Sequence, residues 1–367
     1  MPRAANIGGD GGDDAPGDSA GSDGGIDAPD GGGSAVSAAK RKPIVIDKTK
    51  ITGPIDNFPV WIDLSDAQIA AQARMDGHDI YFTDSQGAAL PYEIEDWSNG
   101  RLRAWVRVPH LDMMTSVTIY VGYGDDTRAV AQSPATVFST YVAVWHLDDT
   151  LAAAAIADAT NLHPGTATGL TTTAQGAAQL VGGITFDGSG NQKIAFTSPL
   201  TGMGPHTISA WVNQGMTNNH SAIVAVGTNS SEAARFVYGN YLGTGTIGIG
   251  QYGDDWEPAG HDLRGDGWKL VHYTYEGMAT KKTHVFIDGQ EIMGSPHTMG
   301  GAANTPAGTG YIGTAPPGFG NPTEMLGTLD EVRIATGAKS PPWIAAEFTN
   351  QKTPAMFYMV GAEEPAP

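Results

Sequence analysis

The chain has 367 residues, 40% of them hydrophobic, with 50 glycines, 23 prolines and no cysteine. A formal net charge of −19 opposes binding to nucleic acid or anionic membrane surfaces, and the missing thiols exclude disulfides, zinc–thiolate sites and cysteine catalysis. No apolar run is long enough to form a transmembrane segment, and the opening MPRAANIGGD lacks the apolar centre of a signal peptide.

From Gly8 to Ser34 the chain is built almost wholly from Gly, Asp, Ala, Ser and Pro. Such a segment buries too little apolar surface to offset its conformational entropy, so residues 1–41 are expected to be a disordered Gly/Asp-rich linker. Arms of this composition commonly follow the lipid-modified cysteine of bacterial surface lipoproteins. A lipoprotein tether, with its signal upstream of this chain, and a plain flexible linker are both open readings.

From Lys42 the pattern changes to short strands separated by Pro and Gly. KPIVIDKTKI and NFPVWIDL come first, then a short helix over Ala67 to Met75 capped by Ser65 or Asp66. HDIYFTD, LPYEIEDW, RLRAWVRVP and SVTIYVGYG follow, with Asn99-Gly100 as a hairpin turn. Residues 42–125 are therefore expected to form one β-sandwich, and 126–136 a linker. A longer set of strands fills 137–364, punctuated by Asp-Gly and Gly-rich turns that favour a two-sheet jelly roll. Within it, Ser340 and Pro341-Pro342 open a helix running through Phe348, and MFYMVGAEE is the last strand. The fold class is all-β: two sandwiches after a disordered arm.

The stretch MLGTLDEVRIA, Met325 to Ala335, alternates like a strand. Simple alternation puts Leu326, Thr328, Asp330, Val332 and Ile334 on one face and Leu329, Glu331 and Arg333 on the other. Asp330 then lies on the more apolar face, where a carboxylate needs a partner, while Glu331 can pair with Arg333.

Two resemblances rest on these segments. DGHDIYFTDSQGAALPYEIEDW, AWVRVPHL and IYVGYG make the first folded region resemble the bacterial domain of unknown function DUF2341. VAVWHLDD, ITFDGSG, TISAWVN, VFIDGQEI, LDEVRIA and WIAAEFTNQKTPAMFYMVG make the second resemble the concanavalin A-like, laminin G-type (LamG) jelly roll. The second resemblance implies one structural Ca²⁺, carried over by position onto Asp330 with Asp148 and Asp149; backbone amides are the competing partner for Asp330.

No enzyme motif is present: there is no Gly-x-Ser-x-Gly elbow, no His-Glu-x-x-His helix and no phosphate-binding loop. Glu93 and Glu95 share a strand face and are expected to be solvated edge residues. His146 alternates with Trp145 and Leu147 and is expected to be structural. Asp187 and Asp288 precede glycines and read as turn residues. The loop QYGDDWEPAGHD, with Trp256 among Asp254, Asp255 and Asp262, has the composition of a sugar-binding surface; a rim loop pinned by its Trp is the alternative. Trp145, Trp211 and Trp268 belong to the core.

The expected function is a non-catalytic binding or adhesion module of the bacterial cell surface or of a secreted protein. Its expected partner is a polysaccharide or another surface protein, with no nucleic acid. The alternatives are a structural stalk or assembly subunit, and a carbohydrate-active enzyme using an acid pair such as Asp254 and Asp262.

Overall fold

The computed structural model describes residues 39–98, 100–125, 127–128, 131–230, 233–241, 246–319 and 323–367. The arm expected to be disordered lies outside the described residues up to position 38, as does Asn99 of the expected hairpin turn.

Alternation of buried and half-buried residues makes Lys40–Ile46 a strand with Ile44 and Ile46 turned inward. It pairs antiparallel with Val117–Tyr123, which pairs in turn with Tyr81–Asp84. The facing sheet runs in the order Ile55–Ser65, Arg101–Leu111, Tyr92–Ser98. Asp66 caps the helix Ala67–Gln72 by accepting the amides of Gln68 and Ile69. The first strand thus begins at Lys40, two residues before the expected boundary, because Lys40 and Arg41 pair with Tyr123 and Gly122.

A second sandwich stacks a nine-stranded sheet on a seven-stranded one. Its interior joins Val212, Val271, Leu329, Val332 and Ile334 of the larger sheet to Phe196, Ile223, Val226, Val237 and Ile312 of the smaller. Trp145 lies in this interior against Phe196, at a ring distance of 4.5 Å.

The C-terminal segment corrects the expected 137–364 domain. Ser340 caps the helix Pro341–Lys352, which packs on strand Ile55–Ser65 of the first sandwich. There Asn350 accepts the Trp61 amide at 2.7 Å and donates to the Trp61 carbonyl at 2.9 Å. The chain then returns to the first sheet, where Tyr358–Val360 pairs with Ile44 to Ile46. Without it the first strand would be an open edge, and Phe357 and Tyr358 would lose their burial. One apolar cluster accordingly crosses both sandwiches, joining Trp61 and Trp105 to Trp211, Leu270 and Val144 through Trp343 of the helix.

Candidate functional site

Strand Leu326–Ala335 carries a β-bulge, and the bulge decides where its acid pair points. Opposite Ser209 and Trp211 the register slips, so that Trp211 pairs with Asp330 while Ser209 pairs with Arg333. Glu331 takes up the extra residue with a φ of 53°, a left-handed conformation unfavourable for a non-glycine. Leu329, Val332 and Ile334 all face the second sandwich's interior. Asp330, Glu331 and Arg333 face instead the layer shared with the first sandwich, where Leu180, Trp105 and Glu347 meet them. The simple alternation that put Asp330 with Val332 and Ile334 fails for this one reason.

In that layer a chain of buried charges runs between the sandwiches. His146 Nδ1 lies 2.7 Å from Glu331 Oε1 and 3.1 Å from Glu95 Oε1, and its Nε2 lies 3.3 Å from Glu93 Oε2. Arg333 donates to Glu331 Oε2 through Nε and Nη2, at 3.1 and 2.7 Å, and through Nη1 to Glu347 Oε1 at 2.9 Å. Glu347 is also held by His272 Nε2 at 2.9 Å, Tyr141 and Gln351. The Arg333 guanidinium lies over the Trp105 ring at 4.3 Å, and Trp105 Nε1 donates to Glu95 Oε1. Glu95 is therefore not the solvated edge residue expected of it: its side chain is 3% exposed and its Oε2 has no hydrogen-bond partner. A register shift between Ile94 and Asp96 accompanies this placement.

Burial pushes the Glu95 carboxyl well above the usual range, opposed by the His146 charge. Burial works against a charged His146, yet the carboxylates of Glu331, Glu95 and Glu93 raise its imidazole well above the ordinary value. For Glu331 and Glu347 burial is likewise opposed. His146 and Arg333 hold Glu331 below the usual range, and His272, Arg333 and Lys339 hold Glu347 at about 2.

Of the residues expected to hold calcium, Asp148 lies near enough to act electrostatically on both Asp330 and Asp149. Among the described residues the one set of three ligating side chains within 4.8 Å of one another is Glu95, His146 and Glu331, not Asp330, Asp148 and Asp149. Asp330 takes the backbone alternative, accepting the Leu180 amide at 2.9 Å through Oδ2, while its Oδ1 is buried without a partner. Asp149 accepts the Ala157 amide at 3.0 Å. Desolvation raises the carboxyls of Asp330, Asp148 and Asp149, although Asp330 alone is fully buried, Asp149 is half-buried and Asp148 is exposed.

A second feature lies on the outer face of the seven-stranded sheet. On strand Ala234–Asn240, Val237 points into the sandwich, whereas Phe236 and Tyr238 belong to a separate outer cluster. With Tyr241, Tyr252 and Phe319 they wall a cleft of about 230 Å³ that also presents His220, Asp255 and Thr323. Asp255 accepts the Tyr241 hydroxyl at 2.9 Å and the Gln251 amide at 3.0 Å. Burial holds His220 below its usual value.

Of the loop residues expected to bind a ligand, Asp255 alone lines this cleft. Trp256 stacks on His297 with ring centroids 4.9 Å apart, and its backbone bridges Ile249, so the rim-pinning alternative describes it. Asp254 accepts the Gly301 amide at 3.0 Å, and Asp262 holds Arg264 at 2.7 Å. Asp254 and Asp262 are thus each engaged in their own local contacts. The sequence reading missed the aromatic cleft because its walls come from four separated segments. Consecutive outward aromatics, as in RFVYGNY, were the signal available.

Residues 76–150 match the family model of the domain of unknown function DUF2341, and residues 187–345 match that of the concanavalin A-like lectin/glucanases superfamily. The first match runs on to include His146, which contacts Glu93 and Glu95 of the same stretch. No curated protein matches the chain. Solved structures are similar to parts of the chain at low identity. The binding domain of Paraclostridial Mosquitocidal Protein 1 is 13% identical with a TM-score of 0.44, over 57% of this chain and 52% of that one. Domain 4 of AbnA, a GH43 extracellular arabinanase from Geobacillus stearothermophilus in complex with arabinotriose, is 17% identical with a TM-score of 0.41, over 56% and 97%. Trypanosoma rangeli sialidase is 14% identical with a TM-score of 0.42, over 70% and 42%. This chain spans about half the length of the mosquitocidal protein's chain, 52%. The chain carries a DUF2341 domain followed by a concanavalin A-like, laminin G-type domain.

Proposed function

We propose that the second sandwich is a non-catalytic glycan-binding module whose ligand lies in the aromatic cleft on the outer face of the seven-stranded sheet. The observation that supports this most is the chemistry of the cleft wall: Phe236, Tyr238, Tyr241, Tyr252 and Phe319 surround one carboxylate, Asp255. The C–H face of a sugar ring packs on aromatic rings, while its hydroxyls donate hydrogen bonds to a carboxylate and exchange them with phenols. At about 230 Å³ the cleft is smaller than the roughly 300–1,000 Å³ of drug-sized sites, which suits a single sugar unit at a chain end or branch. Glycoside hydrolysis by the common routes needs two carboxylates across the bond, and among the described residues the cleft lining offers Asp255 alone. Such a module belongs at the cell surface or outside the cell, where polysaccharide is the partner.

A glycan array probed with the full chain tests the reading. Binding to a defined set of glycans that disappears in both Tyr252→Ala and Asp255→Asn, with circular dichroism unchanged, supports it. Glycan binding that survives both substitutions, no binding at all, or shortening of the bound glycan with time would overturn it.

A further inference from the structure

We infer that Glu95, His146 and Glu331 form a divalent-cation site, suited to Zn²⁺, that clamps the first sandwich to the second. The site is separate from the aromatic cleft and shares no residue with it.

The three side chains arrive from three elements. Glu95 comes from strand Tyr92–Ser98 of the first sandwich, His146 follows strand Ala143–Trp145, and Glu331 sits on the bulge of strand Leu326–Ala335. Their ligating atoms lie within 4.8 Å of one another, with His146 Nδ1 at 2.7 Å from one carboxylate and 3.1 Å from the other. An ion bound at about 2.0–2.2 Å in tetrahedral geometry holds its ligand atoms roughly 3.3–3.6 Å apart, so the His146 ring has to draw back from both carboxylates, from Glu331 by roughly half an ångström or more.

What surrounds the triangle orients it. Glu93 Oε2, 3.3 Å from His146 Nε2, can take the ring proton on that side and leave the Nδ1 lone pair facing Glu95 and Glu331. Arg333 occupies Glu331 Oε2 with two donors, which leaves Oε1 turned toward His146. If Nδ1 instead carries a proton, that one proton serves two carboxylate oxygens.

A second observation points to a ligand. Glu95 Oε2 is buried without a hydrogen-bond partner, on a carboxylate whose other oxygen is already in the triangle. An orphaned carboxylate oxygen at this depth is costly, and a cation held by both oxygens of Glu95 satisfies it. Entry is open at one side, where the side chains of His146 and Glu93 are 11% and 16% exposed.

One imidazole nitrogen with two carboxylates suits Zn²⁺, whereas Ca²⁺ takes six to eight oxygens. Other histidine–acid groupings exist on the surface, notably His284 with Glu276 and Glu291, and they supply the control.

The test is a calorimetric titration of ZnCl₂ into the full chain, free of affinity-tag histidines and stripped with chelator. The expected result is one saturable site that weakens by roughly 100-fold or more in His146→Gln and in Glu95→Gln and persists in His284→Gln. A site lost in His284→Gln and kept in His146→Gln, or no saturable site, overturns the inference. Because substitutions in a buried cluster can impair folding, wild-type crystals soaked in ZnCl₂ provide the second measurement. An anomalous peak among His146 Nδ1, Glu95 and Glu331 supports the site, and peaks at surface histidines alone overturn it.

Discussion

Arg333 and Glu331 stand two residues apart on one strand and meet through a two-donor contact, Nη2 to Oε2 at 2.7 Å, with both side chains almost wholly removed from solvent. The bulge makes the contact an interdomain one. Glu331 Oε1 continues to His146, Arg333 Nη1 continues to Glu347 on the C-terminal helix, and the guanidinium covers Trp105 of the first sandwich. One strand of the second domain therefore places a charge at the junction of three elements that are distant in sequence.

Removing the centre of this junction strands the acids around it. Arg333→Met should destabilise the chain by about 3–5 kcal/mol, because Glu331 and Glu347 stay buried without their shared cation. Arg333→Lys should recover little, since an ammonium cannot reproduce the forked contact and the stacking on Trp105. Urea unfolding monitored by tryptophan fluorescence measures both; a loss below about 1 kcal/mol for Arg333→Met contradicts the junction's role.

The returning C-terminal strand ties the stability of the two sandwiches together. Phe357 is fully buried in the apolar cluster that crosses between them. Phe357→Ala should lower stability by about 3–5 kcal/mol and leave a single unfolding transition at a lower midpoint. Two resolved calorimetric transitions, with only the first domain's shifted, would show the sandwiches to be independent.

Acid should loosen the same layer through Glu347. Its carboxyl falls from the usual 4.5 to about 2 in the folded chain: burial opposes this, but His272, Arg333 and Lys339 favour the charged form. A depressed carboxyl contributes stability above its unfolded value, and that stability is lost as pH falls from about 4.5 toward 2. The shift corresponds to on the order of 3 kcal/mol, so Glu347→Gln should give a visibly flatter acid limb in a plot of unfolding free energy against pH. His146 has the opposite sign. Its raised imidazole contributes stability that is complete below about 6.5 and declines as pH rises through the folded value. A Glu347→Gln profile parallel to wild type between pH 4.5 and 2 counts against this assignment.

Two neighbouring aromatics on the second sandwich should separate stability from binding. Trp256 packs under the rim against His297 and the core, so Trp256→Ala should lower the melting temperature while any glycan retention persists. Tyr252 borders the cleft beside Phe319, at a ring distance of 5.1 Å, so Tyr252→Ala should weaken retention with a melting temperature within a few degrees of wild type. The reverse pattern would return the binding role to Trp256.

Local chemistry by itself determined much of this protein. Strand alternation in KPIVI and ITF, the Asp66 and Ser340 caps, and glycines at turns such as Asp288-Gly289, where both φ values are positive, all depend on neighbouring residues and are legible in order along the chain. The two-sandwich, all-β class follows from them, as does the expectation that Glu331 pairs with Arg333. Tertiary structure decided the rest. One extra residue at Glu331 turned Asp330 away from the face that alternation assigns to it, because a bulge depends on register with the partner strand. Glu95 changed from a surface acid to a buried one when His146 and Trp105 closed over it. His146 meets Glu331 across 185 positions of chain, and Tyr358 returns to Ile46 only after the whole second sandwich has been built. Periodicity reports which way a side chain points within its own strand; what it meets there is set by the packing of elements far apart in the sequence.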